Sequence, residues 1–130
     1  MAAEKTQLHT AMTWLDQQCA ANALGGEDAA RLAIVLEELF LNVAENGGAP
    51  PPSVELTFVR EPLALQLVVE DDGAPFDPTA APPPDFSVAA NERDAGGLGI
   101  HLVMRLMDEV SYTRAGDLNR LVLRKFITPP

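Results

Sequence analysis

Residues 32–46, LAIVLEELFLNVAEN, decide how the rest of the chain is read. Leu32, Val35, Leu36, Leu39 and Val43 recur at the three- and four-residue spacing of a helix face packed on a core. Ile34, Phe40 and Leu41 carry apolar character to the opposite side, so the helix is expected to be deeply buried. Glu38 and Asn42 stand one turn apart on the same side of it. A carboxylate in such surroundings is costly unless something satisfies it. Read alone, the pair is a solvent face. Two stretches downstream bear on that reading: Asp71-Asp72-Gly73 and Gly96-Gly97-Leu98-Gly99.

Working outward, Thr6 to Leu24 reads as a first helix with Leu8, Met12, Leu15 and Cys19 as its apolar stripe, ended by Gly25-Gly26. Glu27-Asp28 place acid at the start of the next helix, where its dipole favours negative charge. That helix stops at Gly47-Gly48, and Ala49 to Pro52 form a connector too rich in proline for helix. Ser53 to Arg60 alternate apolar and polar as a half-buried strand. Leu63 to Val69 form a more buried one, and the short turn between them makes an antiparallel hairpin. Pro78 to Ala95 have no clear period, and an unpatterned connection of that length in a small domain is usually functional. Leu98 to Met107 read as a helix starting inside the glycines, and Glu109 to Arg114 with Leu118 to Ile127 as a last hairpin. Paired strands and separate helices, without strand–helix alternation, predict an α+β sandwich with helices on one face of a mostly antiparallel sheet.

The chain of 130 residues fits a single domain, residues 1–130, with 47% hydrophobic residues to build its core. Nineteen acidic against nine basic residues give a net charge of -10, which argues against nucleic acid as a partner. A nucleotide is not excluded, because backbone amides and one metal ion can hold a few phosphates locally. The lone Cys19 gives neither a disulfide framework nor a metal cluster, as in a reducing cytoplasm. No leader pattern and no long apolar run are present, so a cytoplasmic protein without membrane attachment is expected.

The downstream stretches have their own chemistry. Glycines leading into a helix expose backbone N–H groups at the positive end of its dipole, a setting for phosphate. The stretch lacks the Gly-Lys-Ser/Thr ending of a P-loop. Asp71 closes a buried strand, where a carboxylate can accept a hydrogen bond from an exocyclic amine, and Gly73 lets a flat ring approach the backbone.

In this order, Glu38-x-x-x-Asn42, Asp71-x-Gly73 and Gly97-Leu98-Gly99 resemble the nucleotide-binding boxes of the Bergerat-type ATPases, the superfamily of gyrase, sensor histidine kinases and MutL. LEELFLNVAEN, DDGAPFDP, GGLGIHLVMRLMDEVSYTR and DLNRLVLRK resemble more closely the small serine kinases that act as bacterial anti-sigma factors. The resemblance spans about Leu32 to Lys125. It implies the Bergerat two-layer fold, ATP and Mg²⁺. By that resemblance Asn42 is the Mg²⁺ ligand and Glu38 the general base that polarises the attacking hydroxyl. Asp71 would take the adenine amine, and Gly73 would give the ring room. The amides of Gly97, Leu98, Gly99 and Ile100 would hold phosphates. Residues 78–95 would be an ATP lid, with Arg93 reaching the γ-phosphate.

Three departures stand out: Pro75 replaces a glycine after the aspartate box, Asn46 stands where this branch often has histidine, and the chain begins almost at the first helix, without the usual opening strand. The implied function is an ATP-dependent serine/threonine kinase that phosphorylates an anti-anti-sigma partner and regulates a sigma factor. The alternative is a nucleotide-gated binding switch with little or no phosphotransfer. Relatives of this kind suggest a homodimer.

Overall fold

The organising helix is longer than its apolar stripe. The computed structural model describes residues 1–80 and 95–127. In it, α1 spans Leu8–Ala21 and α2 spans Gly26–Asn46; β1 (Val54–Glu61) and β2 (Ala64–Asp71) follow. Then come α3 (Ala95–Leu106), β3 (Glu109–Ala115) and β4 (Leu118–Phe126), with short 3-10 turns at Lys5–Gln7 and Pro78–Ala80. Glu27 and Asp28 occupy the first turn of α2, where its dipole favours acid.

Two expected boundaries are corrected. Gly25-Gly26 do not end α1. Ala23 does, in the left-handed conformation at φ 57°, while the Leu24 N–H reaches the Cys19 carbonyl at 2.8 Å and the Ala23 N–H reaches Ala20 at 3.2 Å. This is the paired hydrogen-bond pattern that closes many helix ends, with Leu24 packed on the core near buried Cys19. Helix α3 begins at Ala95, three residues ahead of the expected start, and runs through the glycines.

The sheet order is β1-β2-β4-β3 with every pair antiparallel, so two sequential hairpins join through β2 and β4. Successive strand residues alternate faces. Leu65, Leu67 and Val69 of β2 and Leu121 and Leu123 of β4 therefore share the face covered by the helices. Leu32, Val35, Leu36, Leu39 and Phe40 of α2 supply the centre of that core, with Leu15 of α1 and Val103 of α3. Ile34 corrects the expectation of burial all round: it is 41% exposed. The opposite sheet face mixes a Val68–Val122 pair and exposed Val59, Leu118 and Phe126 with charged side chains, Arg120 lying on Glu70 at 3.5 Å. Arg124 lies between Glu61 and Glu109, at 2.7 and 3.2 Å.

The missing opening strand also needs correction. Ala2 forms an antiparallel bridge with Ser53, the Ala3 N–H donates to the Pro52 carbonyl at 2.8 Å, and the Val54 N–H donates to Met1 at 2.7 Å. One bridge thus extends the sheet beside β1. Among the described residues, no helix is long and apolar enough to cross a membrane.

Candidate functional site

The last turns of α2, the end of β2 and the start of β4 enclose one pocket. Asn42, Asn46, Asp71, Ala74, Phe76 and Asn119 supply its polar and turn-forming walls, and Leu39, Val69 and Leu121 close its floor. The amphipathic pattern places Asn42 there: α2 buries Leu39 and Val43 against the sheet, and Asn42 sits between them, 7% exposed. Its Oδ1 accepts a hydrogen bond from Asn46 Nδ2 at 3.0 Å, and the same nitrogen donates to the Asn42 carbonyl at 2.9 Å. The amide oxygen keeps a second lone pair, a hard donor suited to a cation that takes most of its oxygens elsewhere.

Asp71 ends β2 on the core-facing side and is 7% exposed. Its Oδ1 accepts the Gly73 N–H at 2.9 Å and Asn119 Nδ2 at 3.0 Å. A carboxylate oxygen has about two lone-pair sites, so Oδ1 is filled and Oδ2 remains to accept a donor from the pocket. Gly73 fits tightly. A side chain there would press on Asp71 Oδ1 at 3.0 Å and on the Gly47 backbone at 3.0 Å. Arg114 fixes this turn from β3, donating to the Gly73 carbonyl at 2.9 Å.

Glu38 does not line this pocket. One turn earlier on α2, it lies half-buried against α3, where a side chain at Gly99 would collide with its carboxylate. Burial, with the neighbouring charges of Glu37 and Glu45, pushes the Glu38 carboxyl above its ordinary value. A carboxylate with a raised pKa is a stronger proton acceptor once ionised, the property wanted of a general base.

The glycine stretch is placed differently from its expected use. With α3 starting at Ala95, Gly97 lies in the first turn, where helix N–H groups lack intrahelical partners. Gly99 and Ile100 fall where the regular ladder engages their amides with carbonyls four residues earlier. Their availability to an anion therefore requires that turn to open. Arg93 and most of the expected lid, residues 81–94, lie outside the described residues.

Three residues of the site escaped the sequence reading: Asn119, Tyr112 and Arg114. Asn119 Nδ2 donates to Asp71 and to the Ala74 carbonyl at 2.9 Å, and its Oδ1 accepts Tyr112 Oη–H at 2.5 Å and the Phe76 N–H at 3.3 Å. One signal was available. Asn119 has the same strand parity as the buried Leu121 and Leu123, and an amide at an inward position of an apolar strand asks for a partner.

The sequence pattern of the histidine kinase-like ATPase domain matches residues 1–125. The serine/threonine-protein kinase BtrW of Bordetella bronchiseptica is 26% identical over 121 residues, spanning 92% of this chain and 85% of BtrW. The catalytic domain of the histidine kinase ThkA superposes with a TM-score of 0.57 at 15% identity, covering 78% of this chain and 70% of that one. The mycobacterial sensor histidine kinase MprB gives 0.53 at 18% identity, covering 78% and 76%. These two structures share the fold.

Proposed function

The chain belongs to the histidine kinase-like ATPase domain family, and from that premise we propose that it is an ATP-dependent protein serine/threonine kinase of the anti-sigma type. Its protein substrate is a small anti-anti-sigma factor, and a sigma factor is the partner it regulates in the cytoplasm. The whole chain acts as one ATPase domain, with residues 78–95 as its lid. The observation that carries the reading is one helix, α2, presenting Glu38 to α3 and Asn42 to a pocket that ends on Asp71. Similarity to a serine/threonine kinase along nearly the whole chain supports it.

In this reading the adenine amine donates to Asp71 Oδ2, and the ring lies over Gly73. Among the described residues, no three His, Cys, Asp or Glu side chains gather as a metal cage. The Asn42 amide oxygen fits Mg²⁺, a cation content with one protein ligand plus phosphate and water oxygens. Bound there, the ion would neutralise phosphate charge. Gly97, and on opening of the first turn Leu98, Gly99 and Ile100, donate amides to phosphate oxygens, joined by Arg93 from the lid. Glu38 accepts the proton of the substrate serine as its oxygen bonds to the γ-phosphorus and the bond to ADP breaks.

The second reading, a nucleotide-gated switch with little phosphotransfer, is favoured by one contact: Gly99 covers the Glu38 carboxylate. A phosphotransfer assay from labelled ATP to an anti-anti-sigma protein separates the two. The kinase reading expects label on a serine with the wild type and its loss in Glu38→Gln. A protein that binds ATP, controls its partner and transfers no label in either form would establish the switch.

A further inference from the structure

Asn119 has a use beyond holding the end of the sheet. Its four hydrogen bonds exhaust the side chain: two donated by Nδ2, two accepted by Oδ1. At 6% exposure it has no capacity left for a ligand. Its effect on a ligand must therefore pass through the pocket groups it holds, Asp71 among them. The Ala74 carbonyl and the Phe76 N–H, which flank Pro75, are both bound by this one amide. Asn119 thus holds the turn on both sides of a residue that can donate nothing, and the same nitrogen occupies Asp71 Oδ1.

We infer that Asn119 is a positioning residue that sets base selectivity, by leaving Asp71 one oxygen with which to read a purine. Adenine presents one exocyclic amine, which a single acceptor satisfies. Guanine presents two adjacent donors, N1–H and the 2-amino group, which a carboxylate takes with both oxygens side by side. That bidentate pairing is denied while Gly73 N–H and Asn119 Nδ2 fill Oδ1. Guanine offered by its 6-oxo edge meets a carboxylate with no proton to share. Both routes disfavour guanine, and only the first depends on Asn119.

The inference rests on the adenine-nucleotide reading above, and one set of calorimetric titrations separates their failures. MgATP and MgGTP are titrated into the wild type, Asn119→Ala and Tyr112→Phe. The wild type is expected to prefer ATP. Asn119→Ala should narrow the ATP-to-GTP affinity ratio about tenfold, the scale on which one hydrogen-bonding group discriminates. Tyr112→Phe loosens Asn119 but keeps the Nδ2 bond to Asp71, so its ratio should match the wild type.

If Asn119→Ala does not fold, Asn119→Ser serves: its single hydroxyl proton can reach Asp71 or Ala74 but not both, and the ratio should narrow less. Equal weakening of ATP and GTP in the folded variant would overturn the selectivity role and leave the nucleotide site standing. A folded wild type that binds neither nucleotide would overturn both.

Discussion

Gly99 of α3 lies so close to the Glu38 carboxylate that no other residue fits there without displacing one or the other. In most helices Gly→Ala adds about 1 kcal/mol of stability. Here a methyl would meet only the Glu38 side chain, half-buried and able to swing its carboxylate aside. Gly99→Ala should therefore keep most of that gain in stability, while moving the Glu38 carboxylate and reducing phosphotransfer more than ATP affinity. Thermal melts and paired kinetic and binding measurements check both. A lower melting temperature would mean that the Glu38 side chain is held fast.

Glu38 itself should limit stability. Its raised pKa means the folded protein binds that proton more tightly than the unfolded chain does. The contribution is therefore full at low pH and lost as pH rises through the folded value. At pH 7 the buried charge is unfavourable, and Glu38→Gln should raise the melting temperature. The gain should shrink as pH falls through the folded value and be gone below the ordinary glutamate value of 4.5. A variant no more stable than wild type at pH 7 would contradict this, as would a gain that does not fall with pH.

Asn46 steadies the Asn42 amide through its Oδ1. Asn46→Ala should leave ATP affinity without Mg²⁺ nearly unchanged and weaken the Mg²⁺-dependent part about three- to tenfold, as expected for one hydrogen bond of about 1 kcal/mol. Asn42→Ala should abolish that part. Calorimetry with and without Mg²⁺ reads the difference, and an equal loss in both conditions would make Asn46 a general helix-end residue.

Asp71→Asn tests the base end. The new amide must turn its oxygen toward the Gly73 and Asn119 donors, leaving NH₂ where Oδ2 stood. Donor then meets the adenine amine. ATP affinity should fall at least about hundredfold, a loss near 2.7 kcal/mol, with the fold retained by circular dichroism. Binding within threefold of wild type would remove Asp71 from base recognition.

Local signals placed most of this molecule. The three- and four-residue spacing of Leu32 to Val43 located α2 and alternation located β1, because those periods report burial of one face, while an apolar run and the short turns located the other strands. What local spacing could not carry was contact between distant residues. Asn119 meets Asp71 across 48 positions, and Arg114 meets Gly73 across 41. The α3 start was misplaced because the first glycines were read as a turn leading into the helix, whereas the helix already runs through them and Gly99 meets the Glu38 side chain there. The α1 end was misplaced for a related reason: its closing hydrogen bonds carried Ala23 into a conformation for which glycine was expected.

Strands β2 and β4 are neighbours in the sheet, with Asp71 opposite Asn119, although α3, β3 and residues 81–94 intervene in the chain. That corner of the pocket is thus made by strand pairing and not by neighbourhood in the chain. It comes into being only when two hairpins, each closed by its own short turn, meet edge to edge. Whatever parts β2 from β4 would dismantle the corner while leaving both hairpins whole.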